Sequence, residues 1–244
     1  MKQADKYDTR GSARCPIFLS CDNFIDGQRY QKPDAMLEQM LFEFFIAIGT
    51  IAFAISGAFK AIRHEFDVLG LLVLGFATAL GGGLIRDVML HRTPTAFIDN
   101  GPAAYALAGC VIVLVSHWLS KKVWGLADPE SRTFLVLDAV GLAAFTVIGA
   151  SAGAEAGLNV FGIIMLAALT GVGGGMIRDL LAGETPLVLK SDFYATATII
   201  GAVVFFILSY LSIDPVTNSA VTFAVTLLLR LSAIQFKWQL PRPK

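Results

Sequence analysis

The sequence predicts an all-α membrane protein. Seven transmembrane helices form an inverted 3+3 repeat plus a seventh helix, with the second and fifth helices broken at Gly-Gly-Gly. Three observations predict it. Of 244 residues, 55% are hydrophobic and only 16% charged. Soluble domains carry roughly 25% charged residues, so this chain has too few to cover a water-facing surface. The charges are spaced so that uncharged stretches of bilayer-crossing length recur, and the chain repeats itself at an offset of 92 residues. Basic and acidic residues balance at 19 each, so no global field recruits nucleic acid. Nine prolines and 23 glycines are too few for a collagen-like or low-complexity chain.

Residues 1–35 are polar, with Lys2, Lys6, Arg10, Arg14, Arg29 and Lys32 against Asp5, Asp8, Asp22, Asp26 and Asp34. The longest apolar run there is Ile17 to Leu19, so a signal peptide is not expected. The tail is expected to be disordered. Met36 and Met40, just before the first helix, leave an upstream translation extension open. Cys15 and Cys21 lie in the tail and Cys110 in a membrane helix. Without histidines at metal spacing they are read as unpaired thiols.

The first helix follows from Phe44–Phe59, 16 uncharged residues, and the second from Val68–Ile85, 18 residues. Gly101–Ser120 gives the third with 20, counting His117 as neutral, and Thr133–Ala154 the fourth, with only Asp138 charged in 22 positions. Ala156–Ile177 (22 residues), Phe193–Ile213 (21) and Pro215–Leu229 (15) give the rest. A bilayer crossing takes about 20 apolar residues, and Lys or Arg at a helix end can snorkel to the interface. The expected spans are 41–61, 68–91, 102–120, 133–153, 158–182, 193–212 and 216–234. One side of the membrane then receives Lys60 and Arg63; Lys121, Lys122 and Arg132; Lys190; and Arg230, Lys237, Arg242 and Lys244. The opposite loops hold Arg92, with Arg86 and Arg178 placed inside the membrane. Basic residues favour the cytoplasmic side, so the C-terminus is expected there and the N-terminus outside.

At the 92-residue offset, GGGLIRDVMLHRTP (81–94) meets GGGMIRDLLAGETP (173–186), with eight of fourteen positions identical. Phe53 falls on Phe145, Gly57-Ala58 on Gly149-Ala150, Gly70 on Gly162 and Gly109 on Gly201. The first repeat is read over 38–125 and the second over 130–213, leaving the seventh helix and a basic tail over 214–244. A unit of three helices ends on the side opposite its start, so the second copy enters inverted, an arrangement used by transporters and pores.

Gly81, Gly82 and Gly83, and again Gly173, Gly174 and Gly175, weaken their helices by about 1 kcal/mol per glycine. In lipid a break must be buried or line a wet cavity. The triplets therefore mark a break with freed carbonyls, or, on the alternative reading, close helix packing. Gly149, Gly153 and Gly157 are read as packing. Arg86-Asp87 and Arg178-Asp179 follow, and intramembrane charges face partners or water unless they sit at headgroup level. Adjacent helix positions do not face each other, so each arginine is expected to find a partner elsewhere. Asp138 is an intramembrane acid by the same argument, with an interfacial position as the alternative. Lys60 is read as an orientation anchor. There is no Gly-rich loop followed by Lys and Ser/Thr, no HExxH and no GxSxG. His64, His91 and His117 are scattered. No enzyme, cofactor or metal is expected.

The paired GGGxxRD motifs, FAISGA at 53–58 and LDAVGLAAF at 137–145 resemble the prokaryotic trimeric intracellular cation (TRIC) channel family, over about residues 38–235. Its repeated unit is also known as an uncharacterised membrane domain and as a glycine-transporter domain. The resemblance implies a homotrimer in the plasma (inner) membrane of a prokaryote, in contact with lipids. Each protomer would hold a pore for monovalent cations, chiefly potassium, flanked by the second and fifth helices bent at the glycine triplets. Animal members carry Lys-Glu before the glycines. Ala79-Leu80 and Gly171-Val172 stand here instead, so phosphoinositide binding is not implied. A secondary transporter for a small solute such as glycine is the alternative.

Overall fold

Three of the helices start where the sequence supplies a side-chain cap. In the computed structural model, residues 33–119, 132–190 and 193–238 are described; the expected disorder of the tail, the Cys15 and Cys21 readings and the Lys121-Lys122 loop fall outside them. The helices are α1 (Pro33–Arg63), α2 (Val68–Met89), α3 (Gly101–Leu119), α4 (Arg132–Glu155), α5 (Val160–Leu181), a short α6 (Leu187–Lys190), α7 (Ala195–Tyr210) and α8 (Pro215–Phe236), with a 3-10 turn at Thr95–Phe97. No strand occurs among the described residues. Asp67 caps α2 by accepting from the Gly70 amide at 2.7 Å, and Asn159, its repeat mate, caps α5 from the Gly162 amide at 2.8 Å. Asp214 caps α8, with Pro215 at the first helical position. Past the ends of α4 and α5, Gly157 (φ 67°) and Gly183 (φ 71°) turn left-handed, as glycine does without strain; their mates Glu65 and His91 do so with side chains. Gly157 thus ends α4 with no neighbour around a would-be Cβ, which corrects its reading as a packing residue.

Two boundaries differ from expectation. α1 starts at Pro33, not near residue 41, because Ala35, Met36, Leu37, Glu38 and Gln39 are strong helix formers even though they are not all apolar. α7 spans 16 residues, about 24 Å at 1.5 Å per residue, short of a hydrocarbon core of about 30 Å. The uncharged stretch continues, but the chain leaves the helix at Leu211 and turns left-handed at Ser212. Among the described residues, six helices are long and apolar enough to cross a membrane, and α7 is a shorter apolar one.

The helix also runs uninterrupted through both glycine triplets, in α2 and in α5, which corrects the expected break. α4 is the central element, buried along nearly its whole length from Asp138 to Gly153. Its small residues let α1, α5, α7 and α8 lie close. Outward faces stay apolar: Leu69, Val73 and Val88 on α2, Phe161 and Leu180 on α5, and Trp118 and Leu119 on α3 are exposed. A surface of that kind suits lipid rather than water.

Candidate functional site

The glycine triplets are where α2 and α5 touch. A Cβ at Gly82 would collide with the Thr170 carbonyl oxygen, and one at Gly174 with the Thr78 carbonyl oxygen. A Cβ at Gly173 would come within 2.9 Å of the Ile85 side chain, and one at Gly81 within 2.5 Å of Ile177. Each contact has its counterpart 92 residues on, which is the reciprocity of an isologous, twofold contact. Phe53 and Phe145, also mates, stack with ring centroids 5.3 Å apart. The missing side chains therefore bring backbones together. That is why the helices continue through them: the glycines serve an approach between helices, not a rupture within one.

One turn past the triplets lie the Arg-Asp pairs. Each arginine bonds its own neighbour: Arg86 Nε donates to Asp87 at 2.8 Å and Arg178 Nε to Asp179 at 2.9 Å. Adjacent side chains were expected to diverge. They meet because an arginine is long enough to fold back along its own turn. The second carboxylate oxygen has a separate task. Asp87 accepts from the Thr95 amide at 2.8 Å, and Asp179 from the Leu187 amide at 2.8 Å. These amides open the 3-10 turn and α6, just after the two Thr-Pro dipeptides. The spacing from Asp to Thr-Pro thus encodes a returning loop fastened to its helix.

The second cluster is sealed. Arg178 is fully buried, and its Nη1 donates to Asp138 of α4 at 2.7 Å and to the Ser56 hydroxyl of α1 at 3.0 Å. Its guanidinium lies 4.8 Å above the Phe134 ring, a favourable seat for a cation. Gly175 leaves room for the buried Tyr194 hydroxyl, which a Cβ would approach to 2.6 Å. Lys60, read from sequence as an anchor, is buried instead and reaches Asp179 at 3.1 Å and Glu184 at 2.8 Å. His64 also meets Glu184, at 2.9 Å. Partial burial raises the Glu184 pKa, but hydrogen bonds from Lys60 and His64 outweigh it and bring the carboxyl down to about 2.

The first cluster is simpler. Asp87 is buried and shared by Arg86 and the half-exposed Arg92, which contacts it at 2.8 Å. Beside Arg86 lies a cavity of about 50 Å³ that Asp87, Gly83, Thr50 and Thr95 also line.

Of the residues singled out from sequence, Gly81, Gly82, Gly173 and Gly174 meet at the crossing, Gly83 and Gly175 stand beside the two arginines, and Asp138 joins Arg178-Asp179. Lys60, Glu184, His64, Ser56 and Tyr194 were missed. One signal was present in the overlay: Arg92 of the first motif is replaced by Glu184 in the second, a charge reversal that calls for a cation such as Lys60. Among the described residues, no group of three or more His, Cys, Asp or Glu is arranged to hold a metal ion.

The glycine-transporter family profile matches residues 43–118 and again 135–210, two copies at the same 92-residue offset. The inner membrane protein YadS of Escherichia coli strain K12, a UPF0126 protein, is 39% identical over 83% of this chain and 96% of its own. A chain solved in a study of conductance through TRIC cation channels is 41% identical, covering 84% of this chain and 98% of its own with a TM-score of 0.73. The TRIC trimeric intracellular cation channel orthologue from Rhodobacter sphaeroides is 30% identical, covering 82% of this chain and 100% of its own with a TM-score of 0.74. With its doubled Arg-Asp motif, apolar helices and shared fold, the chain belongs to the glycine-transporter (UPF0126) family of membrane proteins.

Proposed function

We propose that this protein is a membrane channel for monovalent cations, chiefly potassium, working as a homotrimer with one pore in each protomer. In this reading all seven apolar helices cross the bilayer, the two repeats are inverted, and the C-terminus faces the cytoplasm. The pathway runs beside the α2–α5 crossing, bordered by Gly81–Gly83, Gly173–Gly175 and the charges Arg86, Asp87, Asp138, Arg178 and Asp179.

The observation that carries the reading is the pair of buried charged clusters at equivalent positions, one turn beyond a glycine-on-glycine crossing, in a fold similar to solved TRIC cation channels over 82–84% of this chain. Ionised groups are costly in lipid and ordinarily serve an ion or proton path. The trimeric state draws on the description of the Rhodobacter sphaeroides orthologue, and the inner-membrane location on that of YadS.

A flux assay tests it. Purified protein in potassium-loaded liposomes is expected to release potassium down its gradient without an added co-substrate, and to take up no labelled glycine. Saturable, gradient-driven glycine uptake with no potassium release would replace the channel by a transporter.

A further inference from the structure

The two halves differ most at the cavity beside Arg86. In the second half, Arg178 is surrounded by the Asp138 carboxylate, the Ser56 hydroxyl and the buried Tyr194. The residues 92 positions away from these are Ile46, Ile148 and Pro102. All three line the Arg86 cavity. Where the second half has a carboxylate against its arginine, the first half has an opening. Arg86 itself is 8% exposed, and its Nη atoms reach no second carboxylate or hydroxyl among the described residues.

The charges are unbalanced in the same sense. The first cluster joins Arg86 and Arg92 to one acid, Asp87, a net charge of +1. The second joins Arg178 and Lys60 to Asp138, Asp179 and Glu184, a net charge of −1 before His64 is counted. Asp87 and Arg86 are the charged residues that line the cavity. The excess lies on the half-exposed Arg92, where water screens it; at the cavity wall Arg86 has Asp87 as its one carboxylate.

We infer that this cavity binds a small monocarboxylate, whose carboxylate pairs with Arg86 as Asp138 pairs with Arg178. A guanidinium has five donors in a planar fork suited to a carboxylate, and the Arg86 Nε is taken by Asp87, leaving its terminal groups for the ligand. Thr50 and Thr95 add hydroxyl-bearing side chains to the wall, while Ile46, Ile148, Phe145 and Pro102 accept a short apolar end. A cavity of about 50 Å³, measured where the centre of a water can sit, has room for about three or four waters, which suits formate or acetate and is too little for gluconate. The cavity shares Gly83, Arg86 and Asp87 with the pathway proposed above, but its test reads binding and not transport, so either can fail alone.

Thermal unfolding of the purified full-length protein in detergent tests it, with potassium formate, chloride and gluconate compared at equal concentration. Formate is expected to raise the unfolding temperature saturably, by about 3 °C at ten times its dissociation constant. Chloride and gluconate are expected to have no such effect. Ile46→Asp supplies the missing carboxylate from the chain itself, and should fold without formate and lose the formate response. Ala96→Phe, which adds a ring at another residue lining the cavity, should lose it too, and serves if Ile46→Asp does not fold. A formate response matched by chloride, one retained in a folded variant, or no response in the parent overturns the assignment.

Discussion

Gly82 and Gly83 are neighbours with opposite consequences. A methyl group on Gly82 meets the Thr170 carbonyl, which is backbone and cannot swing aside. Gly82→Ala should therefore cost about 1–3 kcal/mol by forcing α2 from α5. Gly174→Ala should cost a similar amount against the Thr78 carbonyl. At Gly83 the nearest atom to a Cβ is Arg86 Nη2 at 3.9 Å, so Gly83→Ala should be tolerated, or stabilise through helix propensity by up to about 1 kcal/mol. Thermal unfolding of the three variants checks the order. Equal behaviour at positions 82 and 83 would remove the crossing as the reason for the triplet. At Asp138 the expected outcome is harsher. Asp138→Ala leaves the fully buried Arg178 with Asp179 as its remaining carboxylate. Breaking a buried pair costs about 3–5 kcal/mol, and the retained Asp179 places this variant at the lower end. Replacing Arg178 with methionine in the Asp138→Ala background should recover part of that loss, as measured by a double-mutant cycle.

The elements were legible where periodic apolar sequence and caps coincide. α2 and α5 start at the caps Asp67 and Asn159, run through the uncharged stretches Val68–Ile85 and Ala156–Ile177, and end a turn at most past an Arg-Asp pair. α1 was misjudged because absence of charge marks lipid depth, whereas a helix can extend through Glu38 and Gln39. The triplets were read correctly as special and wrongly as breaks, since the atoms that make them special belong to the other repeat. Lys60 shows the same limit. Its partners Asp179 and Glu184 stand 119 and 124 residues away, and no local pattern joins them. That link fastens the end of α1 to the loop before α6, and it makes a pH prediction. Glu184 titrates near 4.5 when unfolded and at about 2 when folded. A lowered folded pKa gives stability that is complete above about pH 4.5 and is lost as pH falls towards 2. The unfolding temperature of the parent should fall across that window, and Glu184→Gln should flatten the fall. An unchanged slope in Glu184→Gln would mean that the link carries no stability.

Taken as one object, the protein presents apolar surface on α2, α3 and α5 around a charged interior. Two clusters of opposite net charge sit beyond the α2–α5 crossing, and the reciprocal contacts at that crossing relate the halves that carry them. Charges held inside a membrane protein ordinarily mark an ion or proton path, which is the ground of the channel proposal. In detergent, mass measurement is expected to give three copies, and a monomer under mild conditions would count against the trimer. The most direct test of conduction is single-channel recording of the purified protein in a planar bilayer under a potassium chloride gradient. The expected result is discrete unitary steps reversing close to the potassium equilibrium potential. Silent bilayers from protein shown to be folded, or steps reversing at the chloride potential, would contradict a cation channel.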